Sequence, residues 1–239
     1  MGFYLNEYRA YLESEKDLSA STLESYLSDI RQYIDFLLSR NITDIEPTSH
    51  AVVLSYMLCL EKGNSAPSTI LRKISSLRSY YRYLLLHRKI DEDPTANLKV
   101  PRNERKIPSI LTFEEATRLL EQPSGSNPKS LRDKAMLELL YATGIRVSEL
   151  ISLDIGDINA RVGYLTCRGV RERVIPIGPD AMQHLENYLD QARGALVRAK
   201  EEKALFVNVH GQRMTRQGFW KIVKHYKETA QIDKDITPH

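Results

Sequence analysis

Tyr141-Ala-Thr-Gly-Ile-Arg-Val-Ser-Glu-Leu150 decides how the rest of the chain is read. Small residues and a glycine at Thr143-Gly144 reverse the chain tightly, and a short helix restarts near Arg146. Free backbone N–H groups at a helix start, with a guanidinium beside them, favour a bound phosphate. The same residues also suit a helix–turn–helix with a surface arginine, so the segment alone leaves both readings open. Glu149 follows one helical turn later, either to support Arg146 or as a helix-surface charge.

Working outward, a helix over about 131–142 precedes the turn. Thr112-Phe-Glu-Glu115 is a capping-box pattern that opens a helix ending near Glu121. Downstream, Val162–Cys167 and Arg173–Ile177 are β-branched runs around Arg168-Gly169, which predicts a hairpin. A helix over about 180–197, a short strand at Leu205-Phe206-Val207 and a last helix over 215–229 complete this half.

The first hundred residues carry helical periodicity throughout. Helices are expected over about 3–13, from a Ser21-Thr-Leu-Glu24 capping box to Ser39, over 49–60 and over 67–87. In the fourth, Ile70, Ile74, Leu77, Tyr81 and Leu84 share one face. The opposite face carries Arg72, Ser75, Ser76 and Ser79, with Lys73, Arg78 and Arg82 in the same basic stretch. Short hydroxyls next to arginines let a helix approach a phosphate backbone closely. Residues 62–106 hold eleven Lys or Arg against four Asp or Glu, a local net of +7 that could neutralise phosphates or simply form a solvated face. Pro101 and Pro108 interrupt any helix, and a basic linker over 97–110 contains Lys99, Arg102, Arg105 and Lys106.

Bulk properties exclude several classes. Apolar residues at 42% are enough for a packed core over 239 residues. No apolar run reaches the length of a membrane span, and the first residues do not read as a secretory signal. Cys59 and Cys167 lack CxxC spacing and are expected as buried thiols in a reducing cytoplasm. The six histidines show no paired metal spacing, so no metal and no cofactor is expected.

The segment ATGIRVSEL resembles the first box of the phage-integrase, or tyrosine recombinase, family. Leu18-Ser-Ala-Ser-Thr22, Ser68–Arg78 and Asp93-Pro94 resemble the core-binding domain of its Xer subgroup. Leu153-Asp-Ile-Gly-Asp-Ile158, Arg171–Gly178, Leu205–Asn208 and Ile236-Thr-Pro-His239 follow in family order. Taken singly these motifs are weak; in this order over essentially the whole chain they are specific.

The resemblance implies a mainly α fold with a small antiparallel β-sheet. An N-terminal SAM-like four-helix core-binding domain (1–96) and the linker (97–110) would precede a C-terminal α+β tyrosine recombinase catalytic domain (111–239), incomplete at the start of the His-x-x-Arg box. It implies that Arg146 grips the scissile phosphate, that Glu149 supports it, and that His239 assists proton transfer or orients the phosphate. Arg72, Lys73, Ser75, Ser76, Arg78, Ser79, Arg82, Arg102, Arg105, Lys106, Arg171 and Arg173 would contact DNA. The partner would be a duplex recombination site, held in the family by a homo- or hetero-tetramer.

Two departures bear on activity. The family places a lysine at the hairpin tip as general acid; here Arg168 stands there, and no lysine occurs between Lys134 and Lys200. Arginine holds its proton too tightly to donate it, but it can stabilise a leaving oxygen electrostatically. The second clamping arginine and the tyrosine nucleophile are also missing. The expected function is therefore site-specific recombination through a 3′-phosphotyrosine in the full-length protein, with this chain a fragment inactive in cleavage. The alternatives are a non-catalytic DNA-binding protein or inhibitor of intact recombinases, and a helical interaction module with no nucleic-acid role.

Overall fold

The computed structural model describes residues 3–15, 18–98, 109–168, 172–199 and 201–237. The chain divides into two compact units, Met1–Lys106 and Ile107–His239. The fold is mainly helical, with one three-stranded antiparallel sheet.

The first unit holds α1 (Leu5–Glu15), α2 (Ala20–Leu38), α3 (His50–Lys62) and α4 (Pro67–Leu86). The expected apolar face of α4 is the one it buries: Ile70, Ile74, Leu77, Tyr81 and Leu84 lie inside. They pack with Leu27, Ile30 and Leu37 of α2 and with Tyr8 and Leu12 of α1. Each such side chain contributes about 1.5–3 kcal/mol by leaving water. Buried phenols are common in this core, and the Tyr33 and Tyr81 hydroxyls satisfy one another at 2.8 Å.

Three local expectations for this unit are corrected. The N-cap of α2 is Ser19, whose hydroxyl accepts from the Thr22 backbone N–H, and not Ser21. Glu24, expected to close that box, pairs instead with Arg9 of α1. Cys59 is exposed, while Cys167 of the second unit is buried as expected.

The second unit holds α5 (Phe113–Glu121), α6 (Pro128–Thr143), α7 (Val147–Ser152) and a 3-10 turn, Ile155–Asp157. Strands β1 (Ile158–Asn159), β2 (Tyr164–Cys167) and β3 (Arg173–Pro176) follow in the order β1-β2-β3. Helix α8 (Pro179–Tyr188) continues through a π turn, Leu189–Arg193, into α9 (Gly194–Leu196), and α10 spans Arg216–Thr229. The capping box of α5 forms fully: Thr112 Oγ1 accepts from the Glu115 backbone N–H, and Glu115 accepts from that of Thr112. Helix α6 starts earlier than the periodicity suggested, because Asn127 caps it and Pro128 suits its first turn.

Helix α6 is central, packing against α5, α7 and α8. Its inner face contains a buried ion pair, Arg132 to Asp133. Arg132 also donates to the Val207 carbonyl, and the Tyr226 hydroxyl donates to Asp133. Every charge there has a partner, which is what makes its burial tolerable. The strand expected at Leu205-Phe206-Val207 does not form. Those residues are buried, and the segment makes only isolated bridges at Asp154↔Ala204 and Val207↔Arg213. No described helix is long and apolar enough to cross a membrane.

Candidate nucleic-acid interface

The Thr143-Gly144 turn has the expected geometry. Helix α6 ends on Gly144, at φ +61°, a left-handed position that a side chain would strain. Two residues later Arg146 is the N-cap of α7, with extended backbone angles. Its side chain is 69% exposed.

Glu149 gathers the surrounding cations. Its carboxylate accepts from the Arg146 backbone N–H at 2.7 Å and lies 3.4 Å from the Arg146 guanidinium. Arg173, the first residue of β3, donates through both terminal nitrogens, each at 2.9 Å. This bidentate fork fixes both orientation and charge. The Arg173 fork, then the Arg146 N–H, hold the Glu149 carboxyl below the ordinary glutamate range. Glu149 itself is only 16% exposed, whereas both guanidiniums reach solvent. The result is a carboxylate strut that holds Arg173 and lies beneath an exposed Arg146 guanidinium, leaving a net positive charge at the surface.

The hairpin brings a third arginine into this half. Cys167 pairs with Arg173 across β2 and β3, and Arg168 is the last described residue before the tip. Its guanidinium lies 2.7 Å from Asp157 Oδ1, away from the angle of a hydrogen bond. Burial, with Glu149 nearby, pushes the Cys167 thiol up.

Helix α4 divides the residues expected to meet DNA. Arg72, Ser75, Arg78 and Arg82 are exposed and Ser79 is half-buried. Lys73 and Ser76 are buried, and the expectation that they face a phosphate is corrected. The cause is Asp29, a buried carboxylate on α2. It accepts from Ser76 Oγ at 2.8 Å, from Lys73 Nζ at 3.2 Å and from Arg72. Lys73 also donates to Gln32 at 2.7 Å. Arg78 turns one nitrogen to the Leu98 carbonyl. Sequence reasoning missed Asp29, which carries no motif: an acidic residue set between Leu27 and Ile30 of the apolar stripe, on a helix opposite an Arg-Lys pair, was the available signal. It also missed Asp157, although Asp154 and Asp157 stand at capping-box spacing. Asp157 does accept from the Asp154 backbone N–H.

His239, Arg171, Arg102, Arg105 and Lys106 lie outside the described residues, as does most of the 97–110 linker. Among the described residues no group of three or more His, Cys, Asp or Glu is arranged to hold a metal. Tyr226 and Tyr188 are buried, and desolvation pushes both phenols up to about 12.

The comparisons with known proteins agree with this architecture. Residues 109–239 match the Phage integrase family, and residues 5–88 match the phage integrase N-terminal SAM-like domain. The chain belongs to the phage integrase family. Among its relatives is the tyrosine recombinase XerD of Halalkalibacterium halodurans, 40% identical over 244 residues; the alignment covers 98% of this chain and 80% of the relative. The tyrosine recombinase XerC of Herpetosiphon aurantiacus is 41% identical over 238 residues, covering 98% and 78%. Among solved structures, the Tn1549 transposon integrase in complex with circular intermediate DNA matches with a TM-score of 0.75 at 15% identity, covering 100% of this chain and 84% of that one. A lambda integrase dimer bound to a COC' core site matches with a TM-score of 0.70 at 18% identity, covering 97% and 79%. At these identities the structural matches establish the fold.

Proposed function

We propose that this chain supplies the DNA-gripping part of a site-specific recombinase, with Arg146 as the group that meets the scissile phosphate. The observation that carries the reading is the exposed Arg146 guanidinium at the start of α7, backed by the Glu149–Arg173 fork. In this reading Glu149 keeps both arginines in place without reaching the phosphate itself. Arg168 adds positive charge near the leaving oxygen, and His239 assists proton transfer. Residues 1–96 form a core-binding domain whose exposed Arg72, Ser75, Arg78 and Arg82 contact the duplex, with Ser79 beside them. Residues 97–110 are a basic linker with Arg102, Arg105 and Lys106, and 111–239 form the catalytic domain. Arg171 adds a further backbone contact. The full reaction runs on a homo- or hetero-tetramer of such chains in the cytoplasm.

The chemistry follows from the charges. A phosphodiester attacked by a tyrosine oxygen gathers negative charge in its pentacoordinate state, and fixed guanidiniums stabilise that state more than the starting one. The bond to the 5′-oxygen breaks as the 3′-phosphotyrosine bond forms, and a 5′-hydroxyl of the partner strand reverses both steps. The arginines supply the positive charge, so the reading needs neither a metal nor a cofactor. No tyrosine among residues 1–239 takes the place of the nucleophile in this reading. Buried phenols such as Tyr188 and Tyr226, with their raised pKa values, are poor substitutes. This chain by itself is then expected to bind duplex without cutting it.

The test is a salt titration of duplex binding. Each phosphate contact contributes about 0.9 to the slope of log affinity against log salt. R146A and R72A should each bind more weakly with a shallower slope. An affinity that ignores salt, or slopes unchanged in both variants, overturns the reading.

A further inference from the structure

Arg168 and Asp157 form an ion pair in which the carboxylate is buried. Asp157 is 6% exposed, and its Oδ1 accepts no hydrogen bond in the structure. Its other oxygen is occupied by the Asp154 backbone N–H. A buried carboxylate oxygen without a donor is costly, and the Arg168 guanidinium 2.7 Å away is its counter-charge. Arg168 also lines an open groove of about 650 Å³ whose other lining residues include Glu201 and Glu202. Asp154 on the same groove is neutralised by Arg213 and Glu202 is tied to the Ala204 N–H, but Arg168 and Lys203 still share the space with carboxylates. An incoming phosphate would be repelled there. Where it stands, Arg168 serves a carboxylate and is withheld from DNA.

We propose that Asp157 is a positioning residue for Arg168: it holds the guanidinium in the Asp154–Lys203 groove, and duplex phosphate must compete it away. The arginine at this place suits such an exchange. Its five N–H donors can engage a phosphate with one edge before the other edge leaves Asp157, so the buried carboxylate is not abandoned in one step. The contrast with Arg173 is instructive. Arg173 is locked on Glu149 by two hydrogen bonds, whereas Arg168, 67% exposed and off the hydrogen-bond direction, is held by charge alone. Of the two arginines flanking the hairpin tip, one is fixed and one is releasable. The proposal rests on the reading of this half as a phosphate-binding surface.

The experiment is a double-mutant cycle on duplex binding by this chain, using wild type, D157N, R168A and D157N/R168A. Asn at 157 keeps the shape and the oxygen that accepts from Asp154, so the turn retains its cap. With its arginine open to solvent, this ion pair is worth a factor of about two to five. D157N should therefore tighten binding by about that factor and steepen the salt slope by up to about 0.9. In the R168A background the same substitution should leave affinity and slope unchanged. Equal tightening in both backgrounds would mean simple removal of a negative charge, and weaker binding by D157N would mean that Asp157 aids Arg168 on DNA; either overturns the proposal. If wild type binds duplex without salt dependence, the phosphate-binding reading falls and this proposal with it. If wild type binds with a normal slope and the cycle shows no coupling, only this proposal falls. Should D157N not fold, R168Q at its exposed position gives the answer. Its melting temperature should fall because Asp157 loses its counter-charge, and an unchanged value overturns the proposal.

Discussion

Replacing Glu149 by Gln removes one charge while keeping the size of the side chain. In the folded protein that carboxylate accepts two hydrogen bonds from Arg173 at 2.9 Å and one from the Arg146 backbone at 2.7 Å. Gln can still accept from one donor, but its NH₂ would face an arginine. Hydrogen bonds to charged groups are worth about 1.5–3 kcal/mol each when protected; with both guanidinium partners open to solvent, we take a discounted total of about 1–2 kcal/mol. For a domain of this size that is roughly a 3–8 °C fall in melting temperature at pH 7. The pH dependence carries the more specific information. The carboxyl is held below its ordinary value of 4.5 in the folded state. Its contribution is therefore fully present above about 4.5 and disappears as pH falls through the lower folded value. Melting curves of wild type and E149Q from pH 7 downward should converge in the acid range. Equal melting temperatures at pH 7 would show that the strut carries no stability. A gap that persists unchanged below the folded value would show that the loss is steric and not ionic.

Four further perturbations have defined outcomes. D29A leaves Lys73 buried without its carboxylate, and such broken pairs cost about 3–5 kcal/mol; chemical denaturation should show the loss in the first unit, and a loss under about 1 kcal/mol would contradict the hub assigned to Asp29. G144A meets no neighbouring atom at the added Cβ, so only the left-handed backbone resists it; a destabilisation of about 1–2 kcal/mol is expected in the same assay, against a neutral change if the turn can relax. Cys59 is open and Cys167 is buried with a raised thiol pKa. Under native conditions a thiol reagent should therefore titrate one group, and the second only after unfolding. In a cleavage-competent recombinase that contains this sequence, R168K should keep or raise cleavage, measured on a suicide duplex; a loss above tenfold would mean that the guanidinium has a specific part in the reaction.

The fold was legible where the apolar period was long. The stripe on α4 runs through five residues and all five are buried, so one helix face could be read directly. Local chemistry was legible where a cap or a turn demands a particular residue, as at Thr112, Gly144 and the Arg168-flanked hairpin. It was misread at the start of α2, where Ser19 two residues earlier takes the cap in place of Ser21 and Glu24 pairs with Arg9. The candidate DNA face was half legible. Composition put Arg72, Lys73, Ser75 and Ser76 together, but which of them turn inward depends on Asp29, forty-odd residues away on another helix. The pairing of Glu149 with Arg146, one helical turn apart, was legible, but the partners of Arg168 and Arg173 were not: Asp157 and Glu149 reach them across elements, and periodicity reports only neighbours along one. The short buried segment at Leu205-Phe206-Val207 has a strand's composition, yet it finds only isolated bridge partners.

The central claim is that Arg146, at the start of α7, meets a phosphate while Arg173 of β3 holds Glu149 behind it. Side-chain Nε–H signals of the labelled chain, followed by NMR while a duplex is added at low salt, test it most directly. Arg146 should shift and return when salt is raised. Arg193, whose guanidinium is spent on the Glu202 and Ala204 carbonyls, should not move. An Arg146 signal that stays in place while the duplex binds would contradict the account.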